Sequence, residues 1–547
     1  MLPEADSYEA LSAAFSWHVP ERYNIGHDVC DKWAGIDPDR VAIVSISEDG
    51  VREEISFAAL RALSNRIANR LARDGVRPGD RVGVLLPQAV ETAATHIAAL
   101  KLGAITIPLF TLFGDEALSF RLGDSGARAV VTNAQGAEKI ARIRADLPDL
   151  SVLYSIEGPH SGSGASDLHA AIAGESEDFT VADTSRDDPA ILIYTSGTTG
   201  QPKGALHAHR VLPGHLPGVE MSHDLFPQPG DWIWTPADWA WIGGLIDVLL
   251  PALHHGITVV ARRFSKFTAE EAFRLMAREK IRNAFLPPTA LKLLRASGRP
   301  PEDARLCLRT VASGGETLGA ELLDWGREVL GVTINEFYGQ TECNMIVSSC
   351  AAIMEPRPGL MGRAVPGHDV RIVDAAGQPL PDGTPGLVGV RRGDPVMFLR
   401  YWNNPAATEA KFAGDFLLTG DMGVREPDGF LRFVGRDDDI ITSAGYRIGP
   451  GEIEDCLIGH SAVAMAGVVG KPDPVRTEIV KAYVVLAAGH EPSDDLARAL
   501  QEHVKTRLAA HEYPREIAFV DALPMTTTGK IIRRDLRARA AGETDAG

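Results

Sequence analysis

From about Asp80 onward, apolar and polar positions fall into an alternating series. Short apolar runs at 81–86, 104–109 and 127–132 read as strands, and 89–102 and 115–122 between them read as helices. This alternation predicts βα units and a mostly parallel sheet covered on both faces. After a Gly/Ser-rich loop at 158–166 the texture returns, with strands at 256–261, 283–286 and 308–312 and helices over 269–280 and from Thr289. Past Pro366 it changes to short strands between Gly and Pro turns, at 370–374, 386–391 and 429–434, as in a barrel-like or sandwich unit. Beyond Gly435-Arg436 and the acidic triplet Asp437-Asp438-Asp439, a separate run predicts a helix from Gly451, strands at 464–469 and 480–486, a helix from Asp494 and a strand at 516–520.

The expected fold class is therefore α/β. A large N-terminal domain, 1–436, holds two βα-layered subdomains and a small β-barrel-like subdomain. A small mobile α+β C-terminal domain, 437–547, ends in a mobile tail from about Ala541.

One segment carries chemistry on its face. YTSGTTGQPKG, at 194–204, follows the apolar run 190–193 and joins glycines and hydroxyls to Lys203. Glycine lets backbone approach a ligand closely, amides and hydroxyls donate, and lysine supplies a point charge, a set suited to phosphate. The pairs Gly470-Lys471 and Gly529-Lys530 are followed by Pro472 and Ile531 rather than Ser or Thr, which excludes a Walker A loop, and no GxGxxG fingerprint is present.

Composition narrows the partners. With 547 residues, 45% hydrophobic and 23% charged, the chain is globular and multidomain, and its net charge of -18 argues against nucleic acid or an anionic membrane. Five cysteines without paired spacing indicate neither a zinc site nor a disulfide framework, and a reducing cytoplasm is expected. The acidic start, MLPEADSYEALSAAF, is unlike a signal peptide. The apolar stretch 239–261 is broken by Gly243, Gly244, Asp247, Pro251, His254 and His255, so it reads as buried core rather than a membrane span. Without spaced partners, His207, His209, His254 and His255 read as solvated or core histidines.

Five further segments share the polar, Gly-bearing look: SGGETL (313–318), NEFYGQTE (335–342), LLTGD (417–421), GRDDDIITSAGYRIGPGEIE (435–454) and TTTGKIIRR (526–534). In this order, after the opening loop, they resemble the AMP-forming acyl-CoA synthetases of the adenylate-forming enzyme superfamily over nearly the whole chain. SAGYRIGPGEIE, PDPVRTEIVKAYVVL and EYPREIAFV are most similar to the medium-chain branch.

The resemblance implies a carboxylic acid, ATP and coenzyme A as small-molecule partners, with Mg²⁺. Acid and ATP would give acyl-adenylate and pyrophosphate, and the CoA thiol would then displace AMP. It assigns Thr195, Ser196, Gly197, Thr198, Thr199, Gly200 and Lys203 to the β- and γ-phosphates, Thr195 and Glu342 to Mg²⁺, and Lys530 to the carboxylate and α-phosphate. Gly315, Glu316, Phe337 and Tyr338 would frame adenine, with Glu336, Gly339, Gln340 and Thr341 completing the ATP site. Asp421 would accept the ribose hydroxyls, and Arg436 and Arg447 would contact ribose or phosphate. Asp438 would be the hinge, and Ala444, Gly445, Tyr446, Arg476, His511, Glu512 and Tyr513 would bind CoA.

Trp241 would border the acyl group, whereas Trp234 and Trp239 read as core. Gly339 stands where acetyl-CoA synthetases close the pocket with Trp, which implies an unblocked pocket. Two departures from the branch are Glu512 and Met525, each where Lys is common. An enzyme that loads a separate carrier protein, or one restricted to acetate or propionate, stays open, as does a dimer.

Overall fold

The computed structural model describes residues 1–195, 202–264, 266–316, 318–437, 439–443, 446–473, 476–508, 512–526 and 530–543. Its first sheet has eight strands in the order Arg400–Tyr401, Lys203–Ala208, Pro189–Thr195, Ile105–Pro108, Arg81–Leu85, Ala129–Thr132, Val152–Ser155 and Ser166–Asp167. From Pro189–Thr195 to Ser166–Asp167 every neighbouring pair is parallel. The strands 105–108 and 129–132 are buried at every position, which is why they read as unbroken apolar runs.

The second sheet has fourteen strands. Its parallel centre joins Val41–Ile46, Thr258–Arg262, Trp232–Trp234, Asn283–Phe285, Thr310–Gly314 and Ile334–Gln340. The short strands expected as a β-barrel-like unit continue this ladder. Cys343–Ser348 pairs antiparallel with Ile334–Gln340, and Leu360–Ala364, Phe430–Arg436, Phe416–Arg425, Gly386–Arg391 and Val370–Val373 follow in turn. A sharp turn at 341–342 reverses the chain beside its own strand, with a register shift between Tyr338 and Gln340, and the sheet continues.

Helices fill three layers around these sheets. The largest buried cluster lies between them and takes Val82 and Val131 from the first, Ile43 and Val259 from the second, and Ala93, Ala94 and Ile97 from the helix Val90–Lys101. The apolar stretch 239–261 contributes Trp239, Leu245, Leu249 and Leu253 to this core; among the described residues no helix is long and apolar enough to cross a membrane. Ala269–Arg278 and Pro288–Ala296 cover the outer face of the second sheet, and Asp115–Ser125 and Ala134–Ile143 that of the first.

A third, five-stranded sheet begins at Ile441 and forms the smaller C-terminal domain. Helices Pro450–Ile458 and Asp494–Arg507 pack on one side, and Arg533–Gly542 on the other through Leu536 and Ala540. Of the tail expected from about 541, residues up to 543 are described: the last helix runs to Gly542, and Glu543 makes a short ion pair with Lys481 and accepts a hydrogen bond from the Tyr483 hydroxyl, while 544–547 lie outside the described residues.

Candidate functional site

Parallel strands leave a crevice beyond their carboxyl ends, the usual place for a ligand in such sheets. One side chain ties the two sheets together there. Gln88, just past Arg81–Leu85, donates to Thr235 O (3.1 Å) and Ala237 O (2.6 Å) and accepts from Arg262 N (3.1 Å).

The phosphate-like segment springs from this edge. Thr195 ends one strand opposite Lys203, which begins the next, and the Thr195 hydroxyl donates to Lys203 O at 3.4 Å. Ser196, Gly197, Thr198, Thr199 and Gly200 lie outside the described residues. Lys203 Nζ sits 5.3 Å from the centroid of the Tyr401 ring, a cation–π distance. The Tyr401 hydroxyl in turn makes a short hydrogen bond to Glu342 Oε1, and Glu342 is only 6% exposed. Burial and the Glu342 carboxylate raise the pKa of Tyr401, so it remains a donor. Thr195, Lys203 and Glu342 are thus grouped through Tyr401, which no motif announced.

The next group forms where Thr310–Gly314 runs beside Ile334–Gln340, with Ser313 opposite Glu336 and Gly314 opposite Phe337. Two residues expected at the ATP site, Glu336 and the adenine contact Phe337, are buried. Glu336 accepts from Leu318 N at 3.2 Å, and burial drives its pKa well above the ordinary value. Phe337 is 6% exposed and packs 5.3 Å from Phe285. Glu316 is paired with Lys292 at 3.1 Å. The backbone of Thr341 faces the buried His207 ring, whose pKa burial lowers to about 3.

Asp421 lies in the strand Phe416–Arg425, opposite Arg436. The Tyr338 hydroxyl donates to Asp421 Oδ2 at 2.6 Å, and Arg436 Nη1 lies 3.6 Å from Oδ1. Burial raises the pKa of Asp421, while Tyr338, Arg436, Lys411 and Lys530 pull it back. Gln340 donates to Thr419 O at 3.0 Å, and Lys411 Nζ caps the same corner by donating to Gln340 Oε1 (3.0 Å) and Thr419 O (3.1 Å). Lys411 carried no sequence signal.

Lys530 enters the crevice from the C-terminal domain. Gly315 has a φ of +103°, and a Cβ there would lie 3.7 Å from Lys530 Cε and Nζ and 3.9 Å from Trp241. The lysine keeps contact with solvent across the open cleft, yet the surrounding protein strips enough hydration to lower its pKa; the carboxylates of Glu316 and Asp421 oppose that fall and Arg436 adds to it. Trp241 is half-buried and packs 5.7 Å from Phe285, so an aromatic wall runs from the lysine to Phe337.

Gly339 requires a correction. A Cβ there would meet Met345 N at 2.5 Å and Asn344 Cα at 2.6 Å, so the position faces touching backbone and does not gate an open pocket. Gly339→Ala is expected to destabilise the fold by about 1–3 kcal/mol in denaturant unfolding, with the ranking of acid substrates unchanged. A new acid preference in a fully stable variant would restore the gating role.

Asn344 donates to both oxygens of Asp247, at 2.8 and 3.0 Å, and burial raises the Asp247 pKa from 3.8 to about 8. The folded chain therefore holds this proton more tightly than the unfolded chain. Stability from this group is present at acidic pH and is lost as pH rises from near 3.8 to about 8. Asp247→Asn should raise Tm relative to wild type more at pH 8 than at pH 5, by on the order of 1–2 °C, and a constant gap across pH would disprove the assignment.

Of the expected CoA residues, Ala444, Gly445 and His511 lie outside the described residues, as do the hinge Asp438 and the side chains of Tyr446 and Arg447. The backbone of Arg476 donates to Asp473 Oδ1 at 2.8 Å. Tyr513, next to Glu512, packs against Arg515 at 5.1 Å. The contacts of Arg476 and Tyr513 lie within the C-terminal domain, away from the Lys530 cluster.

Comparison with known proteins agrees with this arrangement. The family described as AMP-binding enzyme matches residues 30–402, and the AMP-binding enzyme C-terminal domain matches 452–530. The chain belongs to this family and, within it, to the AMP-forming acyl-CoA synthetases.

It is 34% identical to the mitochondrial acyl-coenzyme A synthetase ACSM4 of Rattus norvegicus, over 97% of this chain and 93% of that one. It is 36% identical to the acetyl-coenzyme A synthetase of Bacillus subtilis, over 89% and 85%. Among solved structures it is similar to the acyl-CoA synthetase of Brucella canis, with a TM-score of 0.75, 36% identity and coverage of 99% and 100%. The anthranilate CoA ligase AuaEII, in complex with anthranoyl-AMP, superposes with a TM-score of 0.86 at 29% identity, covering 95% and 98%.

Proposed function

We propose that the protein activates a carboxylic acid larger than acetate at this crevice, first as its adenylate with release of pyrophosphate, then as its CoA thioester with release of AMP. The observation that carries the reading is the meeting of Lys530, Gly315 and Trp241, flanked by the carboxylates of Glu316 and Asp421. Joining a carboxylate to a polyphosphate brings like charges together, and a cation at that point offsets the repulsion and stabilises charge gathering at the α-phosphate.

Asp421, buried and held by Tyr338, offers an acceptor for two vicinal hydroxyls, as on a ribose. Thr195 and Lys203 steady the pyrophosphate side. Glu342 fits Mg²⁺, a hard ion that prefers oxygen and takes most of its ligands from phosphate and water. That ion would neutralise polyphosphate charge, while Tyr401 holds the carboxylate in place.

The second step requires the C-terminal domain, 437–547, to swing about Asp438 and bring the segment at Gly445 to the cleft. Overall similarity does not select the acid, since relatives named as acetyl- and as acyl-coenzyme A synthetases match about equally. Trp241, partly exposed and backed by the buried Phe285, favours an apolar acyl group, of medium-chain, branched or aromatic type.

The test is a panel of acids from acetate through medium-chain, branched and aromatic, assayed for pyrophosphate and AMP release with free CoA. Turnover is expected with the larger apolar acids. ADP as the product, or no turnover with any acid, would refute the reading.

A further inference from the structure

Lys530 is tied back to the chain before it. Thr526 N donates to Lys530 O at 2.8 Å, Lys530 N donates to the Thr526 hydroxyl at 3.0 Å, and Met525 bridges Ile531. The helix Arg533–Gly542 follows at once, and it carries Arg533 and Arg537 one turn apart on one face.

Both arginines reach the same carboxylate. Asp439 has a side chain 9% exposed; Arg533 Nη1 lies 3.6 Å from its Oδ2, and Arg537 Nη1 makes a short ion pair with its Oδ1. Arg533 also grips Glu454, with Nε to Oε1 at 3.2 Å and Nη2 to Oε2 at 2.5 Å, and Glu454 Oε1 accepts from Val468 N at 2.8 Å. The fork is thereby fixed to the C-terminal sheet.

Asp439 is also held toward the large domain. Its N–H and that of Ile440 both donate to Arg436 O at 3.0 Å, and Arg436 pairs with Asp421. A continuous line of contacts therefore runs from Asp421 through Arg436 and Asp439 to the helix behind Lys530. Exposed ion pairs contribute little, but this one is largely buried and shared between two guanidinium groups.

We infer that Asp439 is a positioning residue for Lys530: through Arg533 and Arg537 its carboxylate couples the lysine-bearing loop to the segment joining the two domains, and so holds the ammonium beside Gly315. This rests on the two-step reading above. Asp439 acts through the arginines, not on the reacting atoms, so its loss should strike only the half-reaction that uses Lys530.

The experiment takes the full chain with Asp439→Asn, Asp439→Glu and Arg537→Gln, and measures acid-dependent ATP–pyrophosphate exchange, thioester formation from supplied acyl-adenylate, and Tm. Asp439→Asn is expected to slow exchange by about 10- to 100-fold in kcat, with KM for ATP and acid and the thioester step changed by less than about threefold. Asp439→Glu should recover part of the loss, and the double variant with Arg537→Gln should be no slower than the worse single one.

Unchanged exchange in a folded Asp439→Asn variant would overturn the inference, as would an equal fall of both half-reactions. Should Asp439→Asn not fold, the same two outcomes are read from Arg537→Gln. Failure of the underlying reading looks different, because the wild-type chain itself would then show no acid-dependent exchange.

Discussion

Lys530→Ala is expected to lower acid-dependent ATP–pyrophosphate exchange by about 10²–10³-fold while leaving thioester formation from supplied acyl-adenylate nearly intact. The ammonium lies 3.7 Å from where a Gly315 Cβ would sit, and the carboxylates of Glu316 and Asp421 favour its charge. An alanine methyl supplies no charge there, and fully described groups such as Lys411 and Arg436 are already committed to Gln340 and Asp421. Equal loss of both half-reactions would remove Lys530 from the adenylating site. Because the surrounding protein strips hydration from Lys530 and lowers its pKa, wild-type exchange should fall on the alkaline side below the ordinary lysine value of 10.5.

Glu342→Gln is expected to reduce kcat/KM for ATP by about 10²-fold and to shift the Mg²⁺ requirement to higher concentration. The amide keeps the size of the side chain but removes the charge a hard cation needs. Tyr401→Phe removes only the hydroxyl that holds this carboxylate, and its effect should be smaller. Mg²⁺ titrations of the three proteins decide the matter; an unaltered Mg²⁺ dependence in Glu342→Gln would exclude it as a metal ligand.

Much of the architecture is legible from local pattern. The expected helix 89–102 is Val90–Lys101, and the strands at 386–391 and 516–520 are Gly386–Arg391 and Glu516–Phe519, because each must bury a continuous or periodic apolar face whatever its neighbours. Partner choice among strands is not legible. Val41–Ile46 belongs to the second sheet, beside Thr258–Arg262, although the first sheet follows it in the chain. The strands after 360 join that same ladder, since a run of alternating residues does not say which edge will receive it.

Within the site, chemistry-bearing residues stood out where glycine and hydroxyl groups cluster, as at Thr195, Lys203, Asp421 and Lys530. Tyr401, Lys411 and Arg537 sit in unremarkable sequence, and Arg533 falls in the TTTGKIIRR motif with no role assigned from it; all four matter through what they touch. Gly339 and Glu336 show the reverse, residues in a telling motif whose contacts turn out to be backbone support.

The sequence by itself determined the kind of enzyme, because residue types in a particular order are what the chemistry of adenylation requires. The tertiary structure decided which of those residues face the cleft and which brace it. It also decided that Lys530, Gly315 and Trp241 meet, since that meeting depends on long-range strand pairing and domain docking, which leave no periodicity in the chain.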